Sequence, residues 1–349
     1  MTLTKRLKLI ILALVLLISA LPLAACSSGP TLNVYNWGDY IDEDILKSFT
    51  KETGIRVNYS TYARNEDMYE KVKQDPSSYD IVVPSDFMVY KMIHEGLVEK
   101  LDFNNIPNFK NIDERFVGLE YDPSNEYSVA YMWGTMGVLY NTTMVDEVVD
   151  SWDILWDAKY SKQIFMYESM RDVMGSTLKR LGFSANEKNL DNINAVKQAL
   201  IEQKPLVQAY VDENIKDKMI GREGALAMVY SGDAVYCIEE NDELEYIVPK
   251  EGSTVWADAI VILKGSKHKA EAEKFIDYLC RPDIALKNTE YVGYSTANAE
   301  AFKLLPEELQ TNDVYWPPDD VWDRCEVMVD LGTSTADYLQ AWTEILSVR

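Results

Sequence analysis

Apolar and polar residues alternate over 55–60, and a mostly apolar stretch covers 32–36; both patterns predict β-strands. Between them, Ile45, Leu46 and Phe49 recur at helical spacing. They predict an amphipathic helix over 42–52, with Gly54 as its C-terminal stop. The pattern continues with a helix over 67–73 and a short buried strand over 80–83 that Pro84 ends. Strands near 225–230 and 259–263 and a helix near 268–280 follow. Strands alternating with helices predict an α/β protein with mainly parallel, covered sheets. One stretch departs from the alternation. Residues 131–141 are long and apolar and are punctuated by Gly134 and Gly137. They read either as a strand passing from one domain to another, with glycines easing a bend, or as a core strand with a bulge. No internal repeat or long low-complexity segment is present.

The N-terminus has a different pattern. Lys5, Arg6 and Lys8 precede an apolar run at 9–17, and small residues lead to Cys26, the layout of a secretory signal peptide. The run is short for a membrane span. Leu23-Ala-Ala-Cys26 resembles the lipobox of bacterial lipoproteins. The resemblance implies removal of residues 1–25, lipidation of Cys26, and a tether over 26–31 to the extracytoplasmic face of the membrane, at the cell surface or in the periplasm.

Cleavage would leave 324 residues, enough for two ordinary domains, and removing three basic residues would take the formal charge from −23 to −26. Such acidity excludes most nucleic-acid binding, which needs Lys and Arg at phosphates. It would also draw in cationic small molecules. Cys237, Cys280 and Cys325 allow at most one disulfide, and buried free thiols are the expectation. His94 and His268 fall in amphipathic, charged stretches and read as surface residues. No metal-ligand spacing, P-loop, His-Glu-x-x-His or dinucleotide fingerprint occurs, so no metal or cofactor is expected. Gly293-Tyr-Ser-Thr-Ala297 is one residue short of a nucleophile elbow, and no histidine follows it.

Two Trp-x-Asp triplets carry the most suggestive chemistry, Trp37-Gly-Asp39 and Trp256-Ala-Asp258. In an extended chain, residues i and i+2 share a side, so each triplet can present an indole face beside a carboxylate. That pairing suits an ammonium ion, held by the ring quadrupole and a charge-assisted hydrogen bond. Tyr40, Ser85, Phe87, Asp172, Tyr230 and Tyr294 lie at or beside predicted element ends, where α/β proteins place ligands. Asp233 reads as a residue of a helix N-terminus.

Val34-Tyr-Asn-Trp-Gly-Asp-Tyr-Ile41 resembles the opening strand of the bacterial spermidine/putrescine-binding proteins. Lys51-Glu-Thr-Gly-Ile55, Tyr79-Asp-Ile-Val-Val-Pro-Ser85, residues 131–141, Val248-Pro-Lys-Glu-Gly252, Trp256-Ala-Asp258, Arg281-Pro-Asp283 and Val292-Gly-Tyr294 extend the resemblance in order along nearly the whole mature chain. It implies a two-lobed periplasmic-binding-protein fold (type II), each lobe a central mixed sheet flanked by helices. One lobe would combine 31–135 with 259–305 and the other 136–258 with 306–349, closing on a ligand by hinge motion. It implies a monomeric binding protein, not an enzyme, that delivers putrescine or spermidine to a membrane ABC permease. The implied ligand contacts are Trp37, Asp39, Tyr40, Ser85, Phe87, Ser169, Asp172, Tyr230, Trp256, Asp258 and Tyr294. Phe87 replaces a tyrosine of some relatives, Tyr230 a tryptophan, and Ser169 an acid of spermidine binders. Glu168 could compensate for Ser169, and Glu326 is a further candidate. The alternatives are the same fold tuned to another cationic or sugar ligand, and a secreted hydrolase using paired carboxylates.

Overall fold

The computed structural model describes residues 29–212 and 214–348. The leader and Cys26 lie outside the described residues. Strand β1 (Thr31–Trp37) leads into helix α1 (Glu43–Thr53). Asp42 caps that helix by accepting the Asp44 amide, and Gly54 ends it in the left-handed conformation that lacks a Cβ penalty. Ile45 and Phe49 are buried on its inner face. Next come β2 (Arg56–Tyr62), α2 (Asn65–Gln74), β3 (Ile81–Val82) and α3 (Asp86–His94). β1 pairs in parallel with both β2 and β3.

The stretch with two readings forms one 14-residue strand, β4 (Ser128–Asn141). Its first half pairs antiparallel with a later strand from Ser128 to Thr135, and its second half pairs with two others from Met136 to Asn141. It therefore joins two hydrophobic cores, with Met132 and Trp133 in one and Met136 and Val138 in the other. Both glycines are sites of close approach. A Cβ on Gly134 would lie 2.7 Å from Trp256 Cζ2, and one on Gly137 would lie 2.4 Å from the Ile247 carbonyl oxygen. Close packing against the strand, rather than unusual torsion, requires glycine at both places.

The second core, and a third beside it that includes Leu139, Ile215, Cys237 and Leu244, are built from β5 (Ile164–Tyr167), α4 (Met170–Arg180), α5 (Leu190–Gln203), β6 (Val207–Val211), α6 (Ile215–Ile220), β7 (Leu226–Tyr230), α7 (Ser231–Glu240) and β8 (Leu244–Ile247). The chain returns to the first through β9 (Thr254–Ile262), α8 (Lys269–Leu279), α9 (Pro282–Val292) and β10 (Ser295–Thr296). β11 (Glu326–Val327) then pairs with β9, and α10 (Thr335–Ser347) packs on the second core. The sheet path is β2-β1-β3-β9-β4-β7-β5-β6. The expectation of mainly parallel sheets needs correction. The outer strands pair in parallel, but β9 is antiparallel to β3 and β4, and β4 is antiparallel to β7 and β8. The two long crossing strands run in opposite directions through the middle, which local apolar patterning does not reveal. Cys237 and Cys280 are buried free thiols, and Cys325 is free and half-buried.

Candidate functional site

The two Trp-x-Asp triplets fold differently. Trp256 and Asp258 lie within β9, so alternation puts them on the same side of an extended strand, as the spacing predicts. Asp258 is only 5% exposed. Its Oδ2 accepts the Tyr40 hydroxyl at 2.7 Å and its Oδ1 accepts the Ser85 hydroxyl at 2.6 Å. Trp37, in contrast, ends β1, and the chain turns there. Asp39 adopts a left-handed φ of 48°, is exposed, and has no side-chain hydrogen bond among the described residues. The Trp37 indole donates to the Val83 carbonyl at 2.9 Å and packs 4.5 Å from the Tyr62 ring. The i and i+2 argument fails for this first triplet because the strand stops before Asp39.

Ser85 occupies the N-cap of α3 without capping it; its hydroxyl serves Asp258 and accepts from Asn65 Nδ2 at 3.2 Å. Phe87, in the first turn of α3, is half-buried against the first core. On the other side of the cluster, Asp172 sits in the first turn of α4 and is 5% exposed. Its Oδ2 accepts the hydroxyls of Ser169 at 2.5 Å and Tyr230 at 2.8 Å, while its Oδ1 is buried without a hydrogen-bond partner. Aromatic rings bridge the two acids. Tyr230 lies 5.8 Å from Trp256, Trp256 lies 5.3 Å from Tyr294, and Tyr294 lies 5.9 Å from Tyr40, all edge to face. The Trp256 Nε1 is buried with no hydrogen-bond partner.

Burial dominates the electrostatics. Desolvation raises Asp258 from 3.8 to about 6, and the hydrogen bonds from Ser85 and Tyr40 only partly offset it. Desolvation likewise raises Asp172, against the lowering effects of Ser169, Tyr230 and Arg171. Burial, then the neighbouring acid, pushes the Tyr40 and Tyr230 phenols well above their usual range, so both remain donors to the carboxylates. Two desolvated carboxylates joined by ring edges and faces make a receptor for positive charge on an apolar stem. Among the described residues, no group of three or more His, Cys, Asp or Glu is placed to hold a metal.

The structure therefore brings together Tyr40, Ser85, Ser169, Asp172, Tyr230, Trp256, Asp258 and Tyr294, with Trp37 and Phe87 beside them and Asp39 apart. Two further candidates lie elsewhere. Glu168 is exposed and lines a separate groove with Tyr210, Asp212 and Glu223, so it does not stand in for the acid missing at Ser169. Glu326 is held by Lys179 at 2.7 Å and by Ser184 at 2.5 Å, a clasp rather than an open carboxylate. Sequence reasoning gave Asp233 only a helix-terminal role. It is in the first turn of α7, and it also accepts the Tyr294 hydroxyl at 3.0 Å, with Lys216 at 3.6 Å. Asp86, fully buried beside Ser85, and Arg171, beside Asp172, adjoin the cluster at the starts of α3 and α4, a placement the sequence does not reveal. Neither histidine belongs to the cluster: His94 stacks on Tyr90 at 3.9 Å, and His268 precedes α8.

Known proteins place this geometry in a family. The spermidine/putrescine-binding periplasmic protein of Salmonella typhimurium is 35% identical over 328 residues, covering 93% of this chain and 94% of its own. Its Escherichia coli counterpart is 34% identical with the same coverage. Among solved structures, the spermidine/putrescine ABC transporter substrate-binding protein PotD of Streptococcus pneumoniae superposes with a TM-score of 0.81 at 39% identity, covering 90% of this chain and 99% of that one. The TpPotD lipoprotein of Treponema pallidum gives 0.80 at 27% identity, over 90% and 99%. Residues 44–315 match the family described as bacterial extracellular solute-binding protein. With its two cores joined by crossing strands and a desolvated acidic cluster between them, the chain belongs to the bacterial extracellular solute-binding protein family.

Proposed function

We propose that this protein is the extracytoplasmic substrate-binding component of an ABC uptake transporter for putrescine or spermidine. The observation that carries this reading is Asp258, a carboxylate buried with two neutral hydroxyl donors, two residues along β9 from Trp256, whose ring meets Tyr294 edge to face. Such a group favours a ligand that brings its own positive charge. Asp258 would hold one ammonium and Asp172 a second. Tyr40, Ser85, Ser169 and Tyr230 would orient the carboxylates. Trp256, Tyr294 and Tyr230 would enclose the methylene chain, with Trp37 and Phe87 as outer walls and the exposed Asp39 attracting the cation from solvent. The ligand would bind between the lobes 31–135 plus 259–305 and 136–258 plus 306–349, as a monomer, and be passed on without catalysis.

The anchor belongs to the same proposal. Cys26 would carry the lipid, and one structurally similar protein is itself described as a lipoprotein. No helix among the described residues is long and apolar enough to cross a membrane. Calorimetric titration of the purified chain with putrescine, spermidine and a panel of neutral sugars tests the reading. Saturable heat with the amines and none with the sugars is expected. Sugar binding with no amine binding would sink it.

A further inference from the structure

Tyr294 is held from two sides. Its backbone belongs with the first core. It lies between α9 and β10, Ser295 beside it pairs with Trp133 of β4, and the Tyr315 hydroxyl donates to the Tyr294 carbonyl at 2.9 Å. Its ring reaches the first turn of α7, a helix whose Ala234 and Cys237 lie in the third core. A Cβ on Gly232 would stand 1.6 Å from Tyr294 Cδ1, so the ring packs directly on the helix backbone. The Tyr294 hydroxyl then donates to Asp233 Oδ1 at 3.0 Å. Asp233 is only 3% exposed, and Lys216 Nζ, from α6, stands 3.6 Å from the same oxygen. The turn is itself fixed on the long crossing strand, because Ser231 Oγ accepts the Thr135 amide at 3.1 Å in the middle of β4. Tyr294 thus joins two bodies of the protein while its ring also lies 5.3 Å from Trp256 and 5.9 Å from Tyr40 in the acidic cluster.

We infer that Asp233 is a latch: by accepting the Tyr294 hydroxyl from across the cleft, it locks that ring over the bound ligand and slows the ligand's release. This rests on the two-lobed polyamine reading above. A buried carboxylate needs a nearby cation. Lys216 supplies one to Asp233 from the same lobe, so Asp233 serves the protein's own groups and not a ligand ammonium. When the lobes part, Tyr294 leaves with 259–305 and Asp233 stays with 136–258. Their hydrogen bond therefore breaks before the ligand can escape. Hydrogen bonds to an ionised acceptor are among the stronger ones in proteins. The ligand enters before the latch forms, so the latch acts on the dissociation rate, where most affinity differences among variants of one interface arise. Asp233 is a positioning residue, and it acts on the ligand through Tyr294.

The test is stopped-flow tryptophan fluorescence with putrescine, which gives association and dissociation rates, on the purified chain and on Asp233→Ala, Tyr294→Phe, the double variant and Asp233→Asn. Asp233→Ala and Tyr294→Phe should each speed dissociation by about tenfold, equivalent to 1.4 kcal/mol, while association changes by less than about threefold. If the two side chains act through one hydrogen bond, the double variant should also dissociate about tenfold faster than the parent, not a hundredfold. Asp233→Asn keeps an acceptor oxygen and should return dissociation to within about threefold of the parent. Thermal melts check folding. If Asp233→Ala melts early, Tyr294→Phe against Asp233→Asn still decides, since only the first removes the hydrogen bond. Additive effects in the double variant, a loss that falls on association, or an Asp233→Asn as fast as Asp233→Ala overturns the latch while leaving polyamine binding intact. A parent that binds neither putrescine nor spermidine overturns the polyamine reading as well.

Discussion

Replacing Asp258 by asparagine should do two opposite things. The carboxylate is fully desolvated, with its pKa raised from 3.8 to about 6. At 1.36 kcal/mol per unit, ionising it inside the folded chain costs about 3 kcal/mol more than ionising it in the unfolded chain. The sign follows from the direction. A raised acid carries no penalty below the unfolded pKa, and the penalty grows with pH until it is complete above the folded pKa. Asparagine keeps the shape and removes the charge, so the ligand-free variant should melt several degrees higher than the parent at pH 8 and much as the parent does near pH 3. Ligand binding should change in the other direction. Breaking a buried charge pair by neutralising one partner costs about 3–5 kcal/mol, a loss of at least about a hundredfold in affinity. Differential scanning calorimetry with and without putrescine reads both effects on one sample. The reasoning fails if the ligand-free variant melts below the parent at pH 8, or if putrescine binds it within about threefold of the parent.

Other outcomes follow from the same geometry. Because the ligand needs Asp258 ionised, putrescine affinity should fall as pH drops through about 6, with protons released on binding near that pH; calorimetry in buffers of different ionisation enthalpy measures the release, and a flat pH profile contradicts it. Tyr230→Phe keeps the ring beside Trp256 but loses the hydroxyl on Asp172, and should weaken binding by roughly fivefold, about 1 kcal/mol, in isothermal titration. Gly232→Ala puts a Cβ 1.6 Å from Cδ1 of Tyr294, so the ring must move; binding should fall by at least about tenfold in fluorescence titration while far-UV circular dichroism is unchanged.

Local elements were legible in the sequence wherever a local cause sets them. The Asp42 cap, the Ile45/Phe49 face and the Gly54 stop define α1 without reference to the rest of the chain. Strand pairing was not legible. The antiparallel run of β4 between β9 and β7 depends on partners more than 80 residues away in sequence. The site shows the same division. Trp256-Ala-Asp258 delivered its carboxylate because a nine-residue strand enforces alternation; the identically spaced Trp37-Gly-Asp39 did not, because β1 ends at Trp37. Asp86 could not be singled out from sequence, since an acid at a helix start is ordinary. Only its complete burial and its unsatisfied Oδ2 mark it.

That burial bears on selectivity in a way the contact geometry alone does not. Asp258 is desolvated in the folded chain itself, beside Tyr40 and Ser85, so the empty site carries the cost of about 3 kcal/mol derived from its raised pKa, a factor on the order of a hundred in an equilibrium. An ammonium ion beside the carboxylate removes that cost, so a diamine recovers on binding what the empty site spends. A neutral sugar of similar size could meet the same rings and hydroxyls, yet it would leave the unpaired charge in place. Discrimination on that order against neutral ligands would then come from the energy of the empty site, with no group needed to repel them. Asp258→Asn should erase this discrimination along with the affinity, because the amide costs little to bury whether or not a cation arrives.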